Sequence, residues 1–217
     1  MTGGFGFGQV LFILGWAVLG AAAGWLSRWG SVRLARLEGL TPGHERWQVY
    51  GPPALAALLF AVFAYDLGTA HIALLALRSV FVVVLVQVIF FDLEHRLILD
   101  RVIFPAMALA AVVSLFDQPW WAGIATGLGA GLLFLFLSVA GSTLLRAEVL
   151  GFGDVKLAAF MGFLLGWPAI VDACFLGVLL GAVAAIGVGV WKRSLKATFA
   201  YGPYLAMGAL VLLYRAQ

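Results

Sequence analysis

Long apolar segments with almost no charge restrict most strongly how this chain can fold. Two examples lie at about 71–91 and 169–190. A helix of about 20 apolar residues spans the hydrocarbon core of a bilayer. Backbone polar groups in lipid must bond to one another, which leaves helices or a closed barrel. Because the apolar residues here run continuously and do not alternate with polar ones, the sequence predicts transmembrane helices.

The composition agrees with a membrane domain. Of the 217 residues, 64% are hydrophobic and 11% are charged, and a soluble domain of this size cannot bury so much apolar surface. We therefore expect an all-α, polytopic transmembrane bundle of about eight helices that forms one domain, residues 1–217. The helices are predicted at roughly 8–28, 51–66, 71–91, 102–117, 121–144, 155–167, 169–190 and 199–214.

The basic residues indicate the orientation, because Lys and Arg are enriched in cytoplasmic loops. With the N-terminus outside, eleven of the 13 Lys and Arg residues fall in inside segments; Arg215 falls outside and Arg78 lies within the third helix. No Lys or Arg precedes the first apolar run, so we expect an uncleaved first helix and not a signal peptide. The net charge of +3 then reflects topology, and no nucleic-acid partner is expected.

Cysteine and histidine do not suggest a metal site. The single cysteine, Cys174, lies in an apolar run, which excludes a disulfide or a four-cysteine zinc site within one chain. The three histidines, His44, His71 and His95, lack the spacing of metal ligands. We expect neither a metal nor an organic cofactor.

Half of the acidic residues lie in two short segments on the predicted inner side. These are FFDLEHRLILDR, residues 90–101, and RAEVLGFGDVKL, residues 146–157, which contain five of the ten Asp and Glu residues. Asp92 is predicted at the last turn of a very apolar helix, and Asp154 directly precedes another. One interpretation of Asp154 is an ordinary helix N-cap, which the helix dipole would favour.

The other interpretation pairs Asp154 with Asp92, which is 62 positions earlier but on the same predicted side of the membrane. Two close carboxylates that are partly shielded from water cannot both ionise easily, so one keeps a proton. Such a pair can activate water and protonate a leaving amine. This arrangement indicates hydrolysis of a peptide bond by an aspartyl dyad.

Three motifs in order resemble those of the type IV prepilin peptidases, membrane aspartyl proteases of the Gly-x-Gly-Asp class. The Gly-Phe-Gly-Asp element at 151–154, continuing as VKLAAFMG, resembles the second catalytic motif of that family. The segment DLEHRLILD at 92–100 resembles the first motif, and FAYGPYLAMGAL at 199–210 resembles the Phe-Gly-Pro segment before the last helix. The resemblance covers most of the chain from about residue 46 onward.

The resemblance implies that Asp92 and Asp154 are catalytic, without assigning which of them is the base. It further implies removal of a basic leader from type IV prepilin or type II secretion pseudopilin precursors at the cytoplasmic face of the inner membrane. The expected partners are these precursors and membrane lipid. Supporting or substrate-binding roles are expected for other residues of the two motifs: Asp100, Gly151, Gly153, Glu94, Glu148 and Lys156.

Two departures from the family pattern stand out. Leu99 occupies the place where the first motif usually has proline. Larger members also carry a cytosolic insertion with two Cys-x-x-Cys pairs between the first two helices, whereas this chain has only the short segment SVRLARLEGLTPGHERWQ there. The resemblance therefore predicts no zinc site, and it does not carry N-methylation of the product over to this chain.

An alternative function uses the same carboxylates differently. Acidic residues within a membrane also suit a small transporter that binds a proton or another cation. Both aspartates lie near one predicted face, however, and the sequence shows neither a midplane site nor broken helices in paired repeats. The sequence thus favours the peptidase.

Overall fold

The computed structural model describes residues 6–145, 150–192 and 200–215. Within these ranges the chain forms eight helices and no β-strand. The all-α fold and the number of helices expected from the apolar runs are therefore confirmed for this part of the chain. The helices are α1 (Phe7–Leu37), α2 (Arg46–Leu67), α3 (Ile72–His95), α4 (Asp100–Ser114), α5 (Trp121–Leu145), α6 (Phe152–Leu165), α7 (Ala169–Lys192) and α8 (Gly202–Arg215).

Five helices are long and apolar enough to cross a bilayer, namely α1, α2, α3, α5 and α7. The other three are shorter: α4 has 15 residues, and α6 and α8 have 14 each. At 1.5 Å per residue, a helix of this length extends about 21 Å, less than the roughly 30 Å of the hydrocarbon core. The chain is a multi-pass membrane protein in which short and long helices alternate from α4 onward.

The ends of α1 and α2 differ from the sequence expectation. The first helix continues from the expected end at residue 28 to Leu37, and the second begins at Arg46 instead of residue 51. Apolarity locates only the part of a helix that lies in lipid, whereas arginine is a good helix former outside it. The start of α2 is fixed by a capping box between Glu45 and Gln48, which does not depend on an apolar run.

The chain divides into two compact units, Met1–His95 and Arg96–Gln217. In the first unit, α1 packs along α2, and both helices contact α3. The backbones of α1 and α2 approach closely at Gly24, where a Cβ atom would lie 2.5 Å from the Cα of Pro53. Only glycine leaves room for this contact, which brings the far end of α1 beside the start of α2.

In the second unit, α6 is the central helix and packs against α4, α5, α7 and α8. Its side chains Leu157, Phe160 and Met161 are fully buried. A Cβ atom on Gly162 would lie 2.7 Å from the Cα of Gly127 in α5, so the two helices meet backbone to backbone. Small residues allow such close packing between membrane helices. The start of α6, which carries the Gly-Phe-Gly-Asp element, is thereby held by its neighbours.

Candidate active site

Asp92 lies in the last turn of α3, where the sequence places it. The residue is only 6% exposed. Its carboxyl group is therefore shielded from bulk water. Shielding of this kind is one condition for a carboxylate pair that shares a proton.

Glu94, two residues after Asp92, is held by α1 and by the segment that follows α1. Nη1 of Arg28 donates a hydrogen bond of 2.6 Å to Oε2 of Glu94, and the N–H of Gly43 donates one of 2.5 Å to Oε1. Nη2 of Arg28 donates to the carbonyl oxygen of Gly43 as well. Only 4% of the Glu94 side chain is exposed. This environment favours a supporting role for Glu94 over direct contact with a basic leader.

The connection between α3 and α4 is four residues long and has a defined backbone. Arg96 adopts a left-handed conformation with φ of 54°, as residues that end helices often do. Ile98 and Leu99 are buried, and Leu99 caps α4 with φ of −70°. A proline ring imposes nearly the same φ. Leucine at the usual proline position of the first motif therefore preserves the backbone geometry, and Asp100 begins α4 directly after it.

Asp154 is the third residue of α6, and the N-cap of this helix is Gly151. The interpretation of Asp154 as an ordinary N-cap is therefore wrong, because the helix begins three residues earlier than a cap at this position requires. The backbone N–H of Asp154 bonds to the carbonyl oxygen of Gly151 at 3.0 Å. Burial raises the pKa of the Asp154 carboxyl to about 6, and a backbone hydrogen bond with Gly151 partly opposes this shift. A carboxyl with this pKa holds a proton closer to neutral pH than an ordinary aspartate does.

The two glycines of the Gly-Phe-Gly-Asp element differ in how much space surrounds them. A Cβ atom on Gly153 would lie 3.2 Å from the Cβ of Ile98, so the start of α6 lies against the segment that precedes α4. A Cβ atom on Gly151 would lie 3.6 Å from Oδ2 of Asp154, which is an ordinary van der Waals distance. Space is therefore short at Gly153 and sufficient at Gly151.

Lys156 joins the starts of α4 and α6. Its Nζ donates a hydrogen bond of 2.5 Å to Oδ1 of Asp100, and the ammonium group also lies over the rings of Phe104 and Phe152 at 5.2 and 4.8 Å. The Asp100 side chain is 55% exposed, whereas that of Lys156 is 15% exposed. Asp100 is thus an accessible carboxylate neutralised by a shielded cation, an environment unlike that of Asp154.

Tyr201 is a neighbour of Asp154 that the sequence analysis did not single out. Burial raises the pKa of its phenol, and the negative charge of Asp154 raises it further. Tyr201 directly precedes α8, in the segment that resembles the Phe-Gly-Pro motif. The signal that could have identified it is the position of this aromatic residue directly before the Gly-Pro pair at 202–203, where the last helix begins.

Glu148, also expected at the site, lies outside the described residues. Among the residues that are described, no group of three or more His, Cys, Asp or Glu side chains is placed to hold a metal ion.

Each unit gathers its site residues at one end. In the second unit, Asp100, Gly153, Asp154 and Lys156 lie together where α4 and α6 begin. In the first unit, the buried Asp92 and Glu94, whose side chain is shielded, lie in the last turn of α3. Each unit therefore contains one shielded aspartate in a segment expected on the inner side.

Residues 79–186 match the type IV leader peptidase family. The matched range includes both Asp92 and Asp154. No solved structure is significantly similar to this chain.

Several curated proteins are similar over most of the chain. The prepilin leader peptidase/N-methyltransferase of Bacillus subtilis (strain 168) is 33% identical over 136 residues, which cover 61% of this chain and 52% of the relative. The protein of the same name from Aeromonas salmonicida (strain A449) is 33% identical over 162 residues, 73% of this chain and 55% of the relative. The protein of the same name from Burkholderia pseudomallei (strain K96243) is 29% identical over 178 residues, which cover 76% of this chain and 48% of the relative. The chain spans about half the length of these relatives.

Proposed function

Because this chain belongs, through residues 79–186, to the type IV leader peptidase family, we propose that it is an aspartyl endopeptidase that removes the leader from prepilin or pseudopilin precursors. The observation that carries the proposal is the pair of shielded aspartates, Asp92 and Asp154, each in a motif of the family and each at the end of a helix. We place the reaction at the cytoplasmic face of the inner membrane, because both segments fall on the predicted side that holds eleven of the 13 Lys and Arg residues.

In the proposed reaction, Asp92 and Asp154 share one proton. The ionised carboxylate takes a proton from a water molecule as the oxygen of that water attacks the carbonyl carbon of the scissile bond. The protonated carboxyl then gives its proton to the departing amine, so the pair ends with one proton, as it began. Two coupled acids titrate as a unit, and the roles of base and acid belong to the pair. Burial of Asp154 raises its pKa, which helps the pair to hold its shared proton nearer to neutral pH.

The proposed substrates follow from the names of the relatives, which are prepilin leader peptidases and N-methyltransferases. The apolar N-terminal helix of a precursor would lie against the membrane helices and place the scissile bond near the start of α6. N-methylation of the product is not part of the proposal.

The proposal is tested by co-expressing the chain with a panel of pilin-like precursors and measuring leader removal by mass spectrometry. Asp92→Asn and Asp154→Asn each remove an ionisable group with little change of shape, and each should lower cleavage at least ~100-fold. Asp172→Asn, in the first turn of α7, is the matched control and should cleave at the native rate.

The outcomes separate the two candidate functions. Cleavage that survives both Asp92→Asn and Asp154→Asn would refute the aspartyl mechanism. If no precursor is cleaved, and vesicles containing the native chain show a flux of protons or cations that Asp154→Asn abolishes, the chain is a transporter. A methyl group on the new N-terminus would be visible in the same mass spectra.

A further inference from the structure

The residues around Glu94 form a partly buried cluster that the proposed chemistry does not use. Arg28 donates to Glu94 and to the carbonyl oxygen of Gly43, while the N–H of Gly43 donates to Glu94. The two charged side chains are 8% and 4% exposed. We refer to the contacts among Arg28, Gly43 and Glu94 as the α1–α3 clamp.

The clamp joins three parts of the first unit that are distant in sequence. Arg28 is in α1, Gly43 is in the segment between α1 and α2, and Glu94 is in the last turn of α3. Both backbone polar groups of Gly43 take part, so the segment is bound through its main chain. The guanidinium uses two different nitrogens, Nη1 and Nη2, on two different acceptors. Lysine presents all of its donors from one nitrogen and lacks this planar fork.

The position of Glu94 in α3 explains why the clamp matters for Asp92. Each residue of a helix turns by about 100°, so side chains two positions apart point about 200° apart. A clamp on Glu94 therefore holds the face of α3 opposite Asp92 and fixes how the helix is rotated. The last turn of a helix lacks partners for its carbonyl groups and opens most easily. Without the clamp, the turn that carries Asp92 would be free to fray.

We propose that Arg28 and Glu94 are positioning residues: through the α1–α3 clamp they hold the last turn of α3 so that Asp92 keeps its catalytic orientation. The inference rests on the proposed peptidase function. It gives the short segment between α1 and α2 a role, since that segment is bound to the helix end beside Asp92. Displacement of a catalytic group by about 1 Å can lower a rate by 10²-fold. Loss of the clamp should therefore affect the chemical step more than substrate binding.

Two variants test the clamp, and a third serves as control. Glu94→Gln keeps the shape of the side chain but removes its charge, and Arg28→Lys keeps a cation but replaces the two-nitrogen fork by a single nitrogen. Ser79→Ala removes the other hydrogen bond described between α1 and α3, from Nε1 of Trp16 to Oγ of Ser79 at 3.0 Å, more than three turns before Asp92. Two properties are measured for each purified protein: hydrogen exchange of the backbone amides at 90–95, and kcat and KM for leader removal.

We expect both clamp variants to speed amide exchange at 90–95 and to lower kcat about 10- to 100-fold with KM within about twofold of native. Ser79→Ala should change neither property, even if it lowers the melting temperature. If Glu94→Gln does not fold, Arg28→Lys provides the same two measurements.

Three results would overturn the inference: unchanged exchange in both clamp variants, faster exchange with native kcat, or an equal loss of kcat in Ser79→Ala. If the native chain cleaves no precursor, the proposed function fails and the positioning role fails with it. The exchange measurement then still decides independently whether the clamp holds the end of α3.

Discussion

Among the site residues, Asp154 has the surroundings that bear most directly on the proposed chemistry. It lies in the first turn of α6, and the burial that raises its pKa to about 6 exceeds the opposing effect of the backbone of Gly151. Asp100, at the start of α4, is paired with Lys156 and more than half exposed. The same kind of side chain therefore has a raised pKa in one helix and is paired with a cation in the other.

The raised pKa predicts how Asp154 affects stability as the pH changes. A folded-state pKa of about 6, above the ordinary value of 3.8, means that the folded protein binds the proton more tightly than the unfolded chain does. The ionised side chain therefore destabilises the fold increasingly as the pH rises from about 4 to about 6, and the effect is constant above that range. Asp154→Asn, which is always neutral, should melt a few degrees above the native protein at pH 7.5 and at nearly the same temperature at pH 4.

The difference in melting temperature between Asp154→Asn and the native protein is measured by thermal unfolding in one detergent across the pH range. Asp100→Asn is the control, because this carboxylate is accessible and paired with Lys156. A difference between Asp154→Asn and native protein that does not grow from pH 4 to pH 6 would contradict the environment assigned to Asp154.

At the scale of helices, the sequence predicts positions better than ends. Continuous apolar runs locate all eight helices, because lipid exposure is a property of composition. The extension of α1 to Leu37 could not be predicted this way, since it depends on arginines outside the apolar run and on contacts made only after folding. The ion pair of Arg28 with Glu94 was missed because the partners are 66 positions apart and meet only when α1 packs against α3.

The close approach of α5 and α6 predicts opposite effects for two glycine substitutions. A methyl group on Gly162 would meet the backbone of α5, whereas nothing lies within 4 Å of a Cβ atom on Gly129. Gly162→Ala should therefore destabilise the protein by about 1–3 kcal/mol, through overpacking. Gly129→Ala should be neutral or stabilising by up to about 1 kcal/mol, since alanine favours helix. Melting temperatures in detergent decide this, and equal effects of the two changes would contradict the packing of α6 on α5.

For the molecule as a whole, the distribution of basic residues predicts which loops face the cytoplasm. We expect the segment between α1 and α2 inside and the one between α4 and α5 outside. Thr41→Cys and Gln118→Cys place a single thiol in each, in a Cys174→Ala background, since Cys174 is the only cysteine. Both native residues are exposed.

A maleimide that does not cross membranes should label Gln118→Cys in intact cells and Thr41→Cys only after permeabilisation. The reverse pattern would place the start of α2 outside and would remove the proposed cytoplasmic location of the reaction.

The sequence also predicts a pairing that spans the two units. The motifs identify Asp92 and Asp154 as partners, because a peptidase of this class needs two carboxylates. The structure adds the local environment of each: the last turn of α3 for Asp92 and the first turn of α6 for Asp154. Motifs alone could not supply these environments, because burial depends on which helices pack around each end.

The most direct test of the proposed dyad is a cross-link between its two members. Asp92→Cys and Asp154→Cys, combined in the Cys174→Ala background and oxidised in membranes, should form a disulfide, which requires Cα atoms within about 7 Å. The control pair, Asp92→Cys with Asp172→Cys, should form none, because α7 begins at the opposite predicted side of the membrane. Rapid formation of the first disulfide and absence of the second would show one site built from both motifs. No cross-link between positions 92 and 154, with both thiols shown to be reactive, would contradict the aspartyl dyad.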